Sequence, residues 1–306
     1  MRREHLHRLC ALGALLAFIT AWAEPAHAAT FGQPVAIGGH ASDLALDEDR
    51  GVLYVANFTA NRIDVISLSE GLVQTSFNVS SQPASVSISP SGQHLLIGHY
   101  GNFVAPNSPA NGLTLIHLES RARQSFVLGA PVLGVAFGAD GKALVVTNTE
   151  FLLFDPENGT LSPLDTIANV AAKTLPVPAG NVPPDITNAS IAASADGNVI
   201  YGMGGSTGTF TFRYNVRTRQ VGPGGIVLAS GILGPRVVSL NQDGSRILAG
   251  WVLLDEAGTF ISYFKAKSNQ FSVGSTAIDS SRGHIYAQIP ERSGEAPVLQ
   301  IGRAHV

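Results

Sequence analysis

From about residue 40 onward, short runs of apolar residues alternate with polar ones, and the runs come in pairs about a glycine. Leu44-Ala45-Leu46 and Leu53-Tyr54-Val55 flank Gly51, and Val86-Ser87-Ile88 and Leu95-Leu96-Ile97 flank Gly92. The pattern returns as Val135-Ala136-Phe137 and Leu144-Val145-Val146 about Gly141, and as Ile191-Ala192-Ala193 and Val199-Ile200-Tyr201 about Gly197. Two further copies are Val238-Ser239-Leu240 and Ile247-Leu248-Ala249 about Gly244, and Ala277-Ile278-Asp279 and Ile285-Tyr286-Ala287 about Gly283. A period of two is that of a β-strand, whose side chains point to opposite faces in turn. Beyond residue 28 no stretch shows a convincing apolar period of 3.6, so no helix is expected there. The glycine ends a tight turn, as in Ala139-Asp140-Gly141, Ala195-Asp196-Gly197 and Gln242-Asp243-Gly244. Joining two antiparallel strands so briefly needs a positive φ, and an aspartate just before the glycine can bond the local backbone.

The steps between these glycines are 41, 49, 56, 47 and 39 residues. Such spacings bracket the ~40–50-residue period of propeller blades and exceed that of most solenoids. In the first unit four strands are expected, at about residues 42–46, 52–56, 62–68 and 73–79. The chain therefore reads as all-β, a β-propeller of four-stranded antiparallel blades, six visible and six or seven in the intact protein. Residues 31–37 resemble the fourth-strand segments Ser76-Phe77-Asn78-Val79-Ser80 and Ser125-Phe126-Val127-Leu128-Gly129. The last unit shows only three strands, so this N-terminal strand is expected to supply the fourth and close the ring.

Arg2, Arg3 and Arg8, an apolar stretch over residues 9–22, and Ala26-His27-Ala28 have the layout of a secretory signal peptide over residues 1–28. The apolar run is short of the ~20 residues a spanning helix needs, and Glu24-Pro25 interrupts it. The propeller then occupies 29–300. Residues 301–306, Ile301-Gly302-Arg303-Ala304-His305-Val306, read as a non-native tail. Cys10 is the sole cysteine, so the mature chain has no disulfide, thiolate nucleophile or cysteine-ligated metal, and no cofactor is expected. Removing Arg2, Arg3, Arg8, Glu4 and Glu24 from 19 basic and 22 acidic residues leaves 16 against 20. That slight acidity, without a Lys/Arg run, lacks the electrostatic footprint of a nucleic-acid binder.

Gly51-Val52-Leu53-Tyr54-Val55-Ala56-Asn57, followed by Asn61-Arg62-Ile63-Asp64-Val65-Ile66, resembles the YVTN-type β-propeller repeat. Val145-Val146-Thr147-Asn148 and Phe151-Leu152-Leu153-Phe154-Asp155 repeat the likeness in the third unit, and it weakens in the last three. The resemblance implies an exported bacterial or archaeal protein, including those of surface layers, and motif residues that are structural. Fold alone does not fix an activity.

Reactive constellations are scarce. There is no phosphate-cradling loop before a helix, no G-x-S-x-G and no H-E-x-x-H. Residues 202–208, rich in glycine and serine, read as a loop between strands. His94 and His99 are five apart on one strand and so face opposite ways, which argues against a shared metal. Asp47-Glu48-Asp49 reads as a solvated turn, since calcium needs six to eight oxygens from several loops. His40, His117 and His284 read as lone histidines, and four Asn-x-Ser/Thr triplets begin at Asn57, Asn78, Asn158 and Asn188.

The longest insertions, residues 99–112 and about 168–186, fall in a connection between second and third strands and in one between blades. Ring topology places both on one face, where any recognition surface is expected. The candidate binding residues of that face are His40, Asn57, His99, Asn102, Asn148, Glu150 and Asp185, with no catalytic or metal set. The leading expectation is an exported, non-catalytic binding or scaffolding propeller, periplasmic, extracellular or at the cell surface. Its partner would be a protein, a glycan or a small molecule, with no nucleic acid and no membrane span after signal cleavage. The alternative is a lactonase-like hydrolase using the channel mouth.

Overall fold

The computed structural model describes residues 35–101, 111–174, 185–206, 209–228, 237–250, 252–263, 275–289 and 298–303. The first sheet is β1 (Ala41–Asp47), β2 (Val52–Asn57), β3 (Arg62–Ser67) and β4 (Leu72–Asn78); the second is β5 (Pro83–Ile88), β6 (His94–His99), β7 (Gly112–His117) and β8 (Arg123–Val127). The third is β9 (Val132–Phe137), β10 (Ala143–Thr147), β11 (Glu150–Asp155) and β12 (Thr160–Thr166), followed by helix α1 (Ile167–Thr174). The fourth is β13 (Asn188–Ala193), β14 (Val199–Gly205), β15 (Thr209–Asn215) and β16 (Gln220–Leu228), and the fifth is β17 (Val238–Leu240), β18 (Arg246–Ala249), β19 (Val252–Asp255) and β20 (Phe260–Tyr263). The sixth has three strands among the described residues, β21 (Thr276–Asp279), β22 (His284–Ile289) and β23 (Val298–Arg303). Every sheet is an antiparallel meander in chain order, and the molecule is a β-propeller of about six blades. Each of the six glycines has φ between 62° and 75°, the left-handed conformation the hairpins were expected to need.

The blades stack face to face because alternate residues of one strand serve two neighbours. Leu95 and Ile97 of β6 join Tyr54, Ile63 and Phe77 of the first blade. Leu96, between them, points the other way and joins Val145 and Phe154 of the third. Leu144 and Phe151 of the third blade meet Ile200 and Phe212 of the fourth. Tyr201 and Met203 meet Ile247 and Leu254 of the fifth, and Leu248 and Leu253 meet Ile285 of the sixth. Burying each such side chain contributes about 1.5–3 kcal/mol.

The first strands of successive blades, β1, β5, β9, β13, β17 and β21, adjoin in that order. Each is the inner edge of its sheet, so its outward N–H groups have no strand to bond. Side chains of the preceding blade satisfy several of them. Asp43 Oδ2 accepts from Val86 N (2.9 Å) and Ser85 Oγ (2.7 Å). Ser85 Oγ accepts in turn from Val135 N (3.0 Å), and Ser87 Oγ from Phe137 N (3.1 Å). Ser190 Oγ accepts from Val238 N (3.1 Å), and Ser239 Oγ donates to the Thr276 carbonyl (2.6 Å). A polar seam thus links inner strands of neighbouring blades.

Three expectations need revision or fall elsewhere. Helix α1 breaks the strand-only reading: Ile167, Val170 and Ala171 are buried in the cluster between the third and fourth blades. They follow the i, i+3, i+4 spacing of one helical face, and Thr166 Oγ1 caps the helix by accepting from Asn169 N (3.2 Å). Residues 202–205 are not loop but the end of β14. A Cβ on Gly202 would sit 2.1 Å from Phe212 Cζ, so glycine is there to let an aromatic ring lie on the strand. In the expected closing strand, residues 31–34 lie outside the described residues and Val35–Ile37 carry no strand pairing. At the other end β23 continues through Arg303, opposite His284.

Candidate functional site

The face bearing the connections between second and third strands, and between blades, is built from strand ends. At the end of β2, Asn57 is fully buried, and its Nδ2 donates to Asp64 Oδ2 (2.8 Å) and to the Ile37 carbonyl (3.0 Å). Its Oδ1 accepts from Ala60 N (3.2 Å). Asp64, also fully buried, accepts from Arg62 Nε (2.7 Å) and Ser76 Oγ (2.6 Å) as well. Burial works to raise the Asp64 pKa, but the bonds from Asn57, Ser76 and Arg62 outweigh it and hold the carboxyl below its ordinary range.

His99 occupies the matching place at the end of β6. It is 1% exposed, and its Nε2 shares a 2.8 Å hydrogen bond with Thr114 Oγ1 of β7. Thr114 is the third residue of its strand, as Asp64 is of β3. Burial pushes the His99 imidazole down to about 4, against the upward pull of the Ser81 and Ser80 carbonyls, so it is neutral at neutral pH. In the third blade the motif position is Asn148, and the third residue of β11 is Leu152, which offers no polar group. Asn148 Oδ1 is accordingly buried without a partner, while its main-chain carbonyl accepts from Ile186 N (2.9 Å).

The expected binding residues therefore divide by blade. His40 is exposed near Asn57, and its carbonyl accepts from Phe58 N (2.8 Å). Glu150 and Asp185 are exposed and lie by Asn148 at one corner, because Ile186 N reaches its carbonyl. Asn102 lies outside the described residues. Asn57 has its amide bonded at both ends, whereas His99 is bonded through Nε2 and its Nδ1 is buried without a hydrogen-bond partner. Both long connections start or end on this face: Leu128 N bonds the Asn111 carbonyl (3.0 Å), and Ile167 N bonds the Thr149 carbonyl (2.8 Å).

The opposite face, made of short turns, holds features that sequence reasoning passed over. A cleft of about 390 Å³ separates the second and third blades, lined by His94, Asp140, Lys142, Asp155 and Glu157 among others. Lys142 Nζ is paired with Asp155 Oδ2 at 2.5 Å and holds that carboxyl below its usual range. His94 of β6 lies directly opposite His117 of β7, with ring centroids 5.4 Å apart at 85°. Burial lowers the His94 pKa, His117 lowers it further, and Glu157 pulls it up. The two lie on different strands 23 residues apart, and only the β6–β7 register pairs them. A smaller cleft of about 280 Å³ between the fifth and sixth blades combines Leu253, Ile261 and Ile278 with Arg246 and Asp279. Asp47, in the acidic turn, is bonded by Arg50 (2.8 Å), which also reaches the Gly92 carbonyl (2.9 Å). No group of three His, Cys, Asp or Glu side chains among the described residues is gathered to hold a metal.

No protein-family model and no curated protein matches the sequence. Among solved structures, the chain is similar to the β-propeller domain of Cps50 (Swd1) from Myceliophteria thermophila. That match has 16% identity, covers 88% of each chain and has a TM-score of 0.57. It is also similar to hydrazine synthase from Kuenenia stuttgartiensis, at 9% identity over 90% of this chain and 99% of that one, with a TM-score of 0.48. The first of these likenesses is one of fold, and the fold it supports is the β-propeller.

Proposed function

We propose that this chain is an exported, non-catalytic β-propeller of the YVTN type, acting as a binding or scaffolding domain in the periplasm, outside the cell or at its surface. The recognition face is the one that carries residues 99–112 and the helix-bearing connection after β12. The observation that carries the reading is the pairing of Asn57 and of His99 Nε2 with the following strand at this face. Asn57 and His99 each tie a second strand to a third, to Asp64 and Thr114, which leaves contact with a partner to the exposed His40, Glu150 and Asp185 and to the long connections. The partner is a protein, a glycan or a small molecule.

A hydrolase of the lactonase kind would need His40, Asn57, Asn148, Glu150 and Asp185 to converge on a substrate. Asn57 has no exposed surface and its amide is bonded on both sides, which counts against it.

The test replaces residues 102–110 with a short Gly-Ser segment and compares capture of envelope components by the two proteins. The variant is expected to keep the wild-type melting temperature and lose its partner. Undiminished capture, or metal-dependent turnover of lactones by the wild type, contradicts the reading. Export is checked by N-terminal sequencing of the secreted chain, which should begin at Ala29.

A further inference from the structure

On the turn face, His94 and His117 are juxtaposed by β-sheet register. They sit opposite each other on adjacent antiparallel strands. The neighbouring bond runs from Leu118 N to the Gln93 carbonyl (2.8 Å), which brackets the histidines as a non-hydrogen-bonded pair. In such a pair the side chains stand closest, with Cβ atoms about 4.5–5.5 Å apart. We propose that His94 and His117 form a two-imidazole site for a first-row divalent cation of the Cu²⁺, Ni²⁺ or Zn²⁺ class, beside the cleft between the second and third blades that His94 lines.

The dimensions fit. Metal–nitrogen bonds of about 2.0–2.1 Å put two imidazole centroids on one ion about 5 Å apart, against the 5.4 Å found. The rings now meet edge to face, and turning one about χ2, a broad two-fold torsion, aims both nitrogens at one point. Ser120 Oγ lies 3.1 Å from His117 Nδ1. Ser120 N donates to the same nitrogen at 3.3 Å, so Nδ1 accepts in the metal-free protein. Ligation through Nε2 moves the ring proton to Nδ1, where Ser120 Oγ turns to accept it as an outer-shell partner. Both side chains are half-buried, which limits the entropy lost when a cation holds them.

Glu157, from the turn after β11, lines the same cleft and its charge is felt at His94, so it offsets the cation's charge from beyond the ligand shell. Water takes the remaining positions. The donor set is two neutral nitrogens, so Ca²⁺ and Mg²⁺, which require oxygens, do not compete.

The test is isothermal titration of the untagged chain with CuCl₂, NiCl₂ and ZnCl₂ in a non-chelating buffer, beside His94→Ala, His117→Ala and His284→Ala. One site in the micromolar range is expected, tightest for Cu²⁺. His94→Ala and His117→Ala should each weaken it at least about tenfold, and His284→Ala should leave it unchanged. A readout that needs no variant is carbethoxylation of wild-type histidines, mapped by mass spectrometry. Zn²⁺ should protect His94 and His117 together and leave His284 reactive. A site whose affinity falls less than tenfold in either variant, no uptake at millimolar metal, or protection of neither histidine overturns the proposal.

Discussion

The junction of the first and second blades differs from that of the third and fourth. The first is stitched by charge and hydroxyl: Asp43 accepts from Ser85 Oγ and Val86 N, and Ser42 Oγ reaches the Pro83 carbonyl at 2.7 Å. The second is filled by rings and a helix. Phe151 and Phe212 meet edge to face at 4.8 Å, and Ile167 and Val170 of α1 close over them. At its inner edge Gly134 meets Ile191, and a Cβ on the glycine would sit 3.2 Å from that side chain. Both junctions bury apolar side chains; the first adds side-chain bonds at its inner edge, and the second adds aromatic rings and a helix. Directional bonds specify register but contribute little each, about 0.5–1.5 kcal/mol net. Apolar area contributes more and specifies less.

The largest loss is expected at Phe212. Phe212→Ala should cost about 3–5 kcal/mol, read as a shift in denaturant midpoint, since the ring is fully buried. A loss near 1 kcal/mol would mean the aromatic junction is not the stronger one.

The next effect is one of pH at the stitched side, where His99 lies against the Ser80 and Ser81 carbonyls of the linker between the first two blades. Its folded pKa, about 4, is below the ordinary 6.5. Over that interval the unfolded chain binds the extra proton, so stability rises with pH. The contribution is whole above about 6.5 and is lost as pH falls toward 4, a span on the order of 3 kcal/mol. His99→Gln should flatten stability against pH between those limits; an unchanged slope would place the acid sensitivity elsewhere.

Ser85→Ala tests the seam. It removes the acceptor of Val135 N and a donor to Asp43, and should cost about 1–3 kcal/mol while leaving the strand content of the circular dichroism spectrum intact. The smallest effect sharpens the contrast between equivalent motif positions. Asn148→Ala should change stability by less than about 0.5 kcal/mol, because its Oδ1 has no partner. Asn57→Ala leaves buried Asp64 short of a donor and should cost about 1–3 kcal/mol. Equal losses at the two positions would refute the reading of the motif as a clamp between second and third strands.

Strands, hairpins and blade order were legible because they depend on local alternation and on glycines that must take positive φ. The first four strands fall within about one residue of expectation. Helix α1 was hidden by its length: eight residues are fewer than the 11–18 over which a period of 3.6 declares itself. The glycines of residues 202–205 look like loop residues until Phe212, from the next strand, is seen lying over them. At the candidate site, a strand end tells where Asn57, His99 and Asn148 are but not what they meet. That is decided by the third residue of the following strand, Asp64, Thr114 or Leu152. The seam was less legible still, since Ser85 looks like any polar residue of an alternating strand until Val135, fifty residues on, is placed beside it.

Amide hydrogen exchange tests the face-to-face stacking of the blades most directly. Val86, Val135, Phe137 and Val238 lie on inner edges, where the neighbouring blade bonds their N–H groups. The stacked blades predict slow exchange at all four, with Ser85→Ala releasing Val135 and Ser190→Ala releasing Val238, each without the other. Exchange at the rate of open strand edges, in the unsubstituted protein, would contradict the stacking and the loop geography that depends on it.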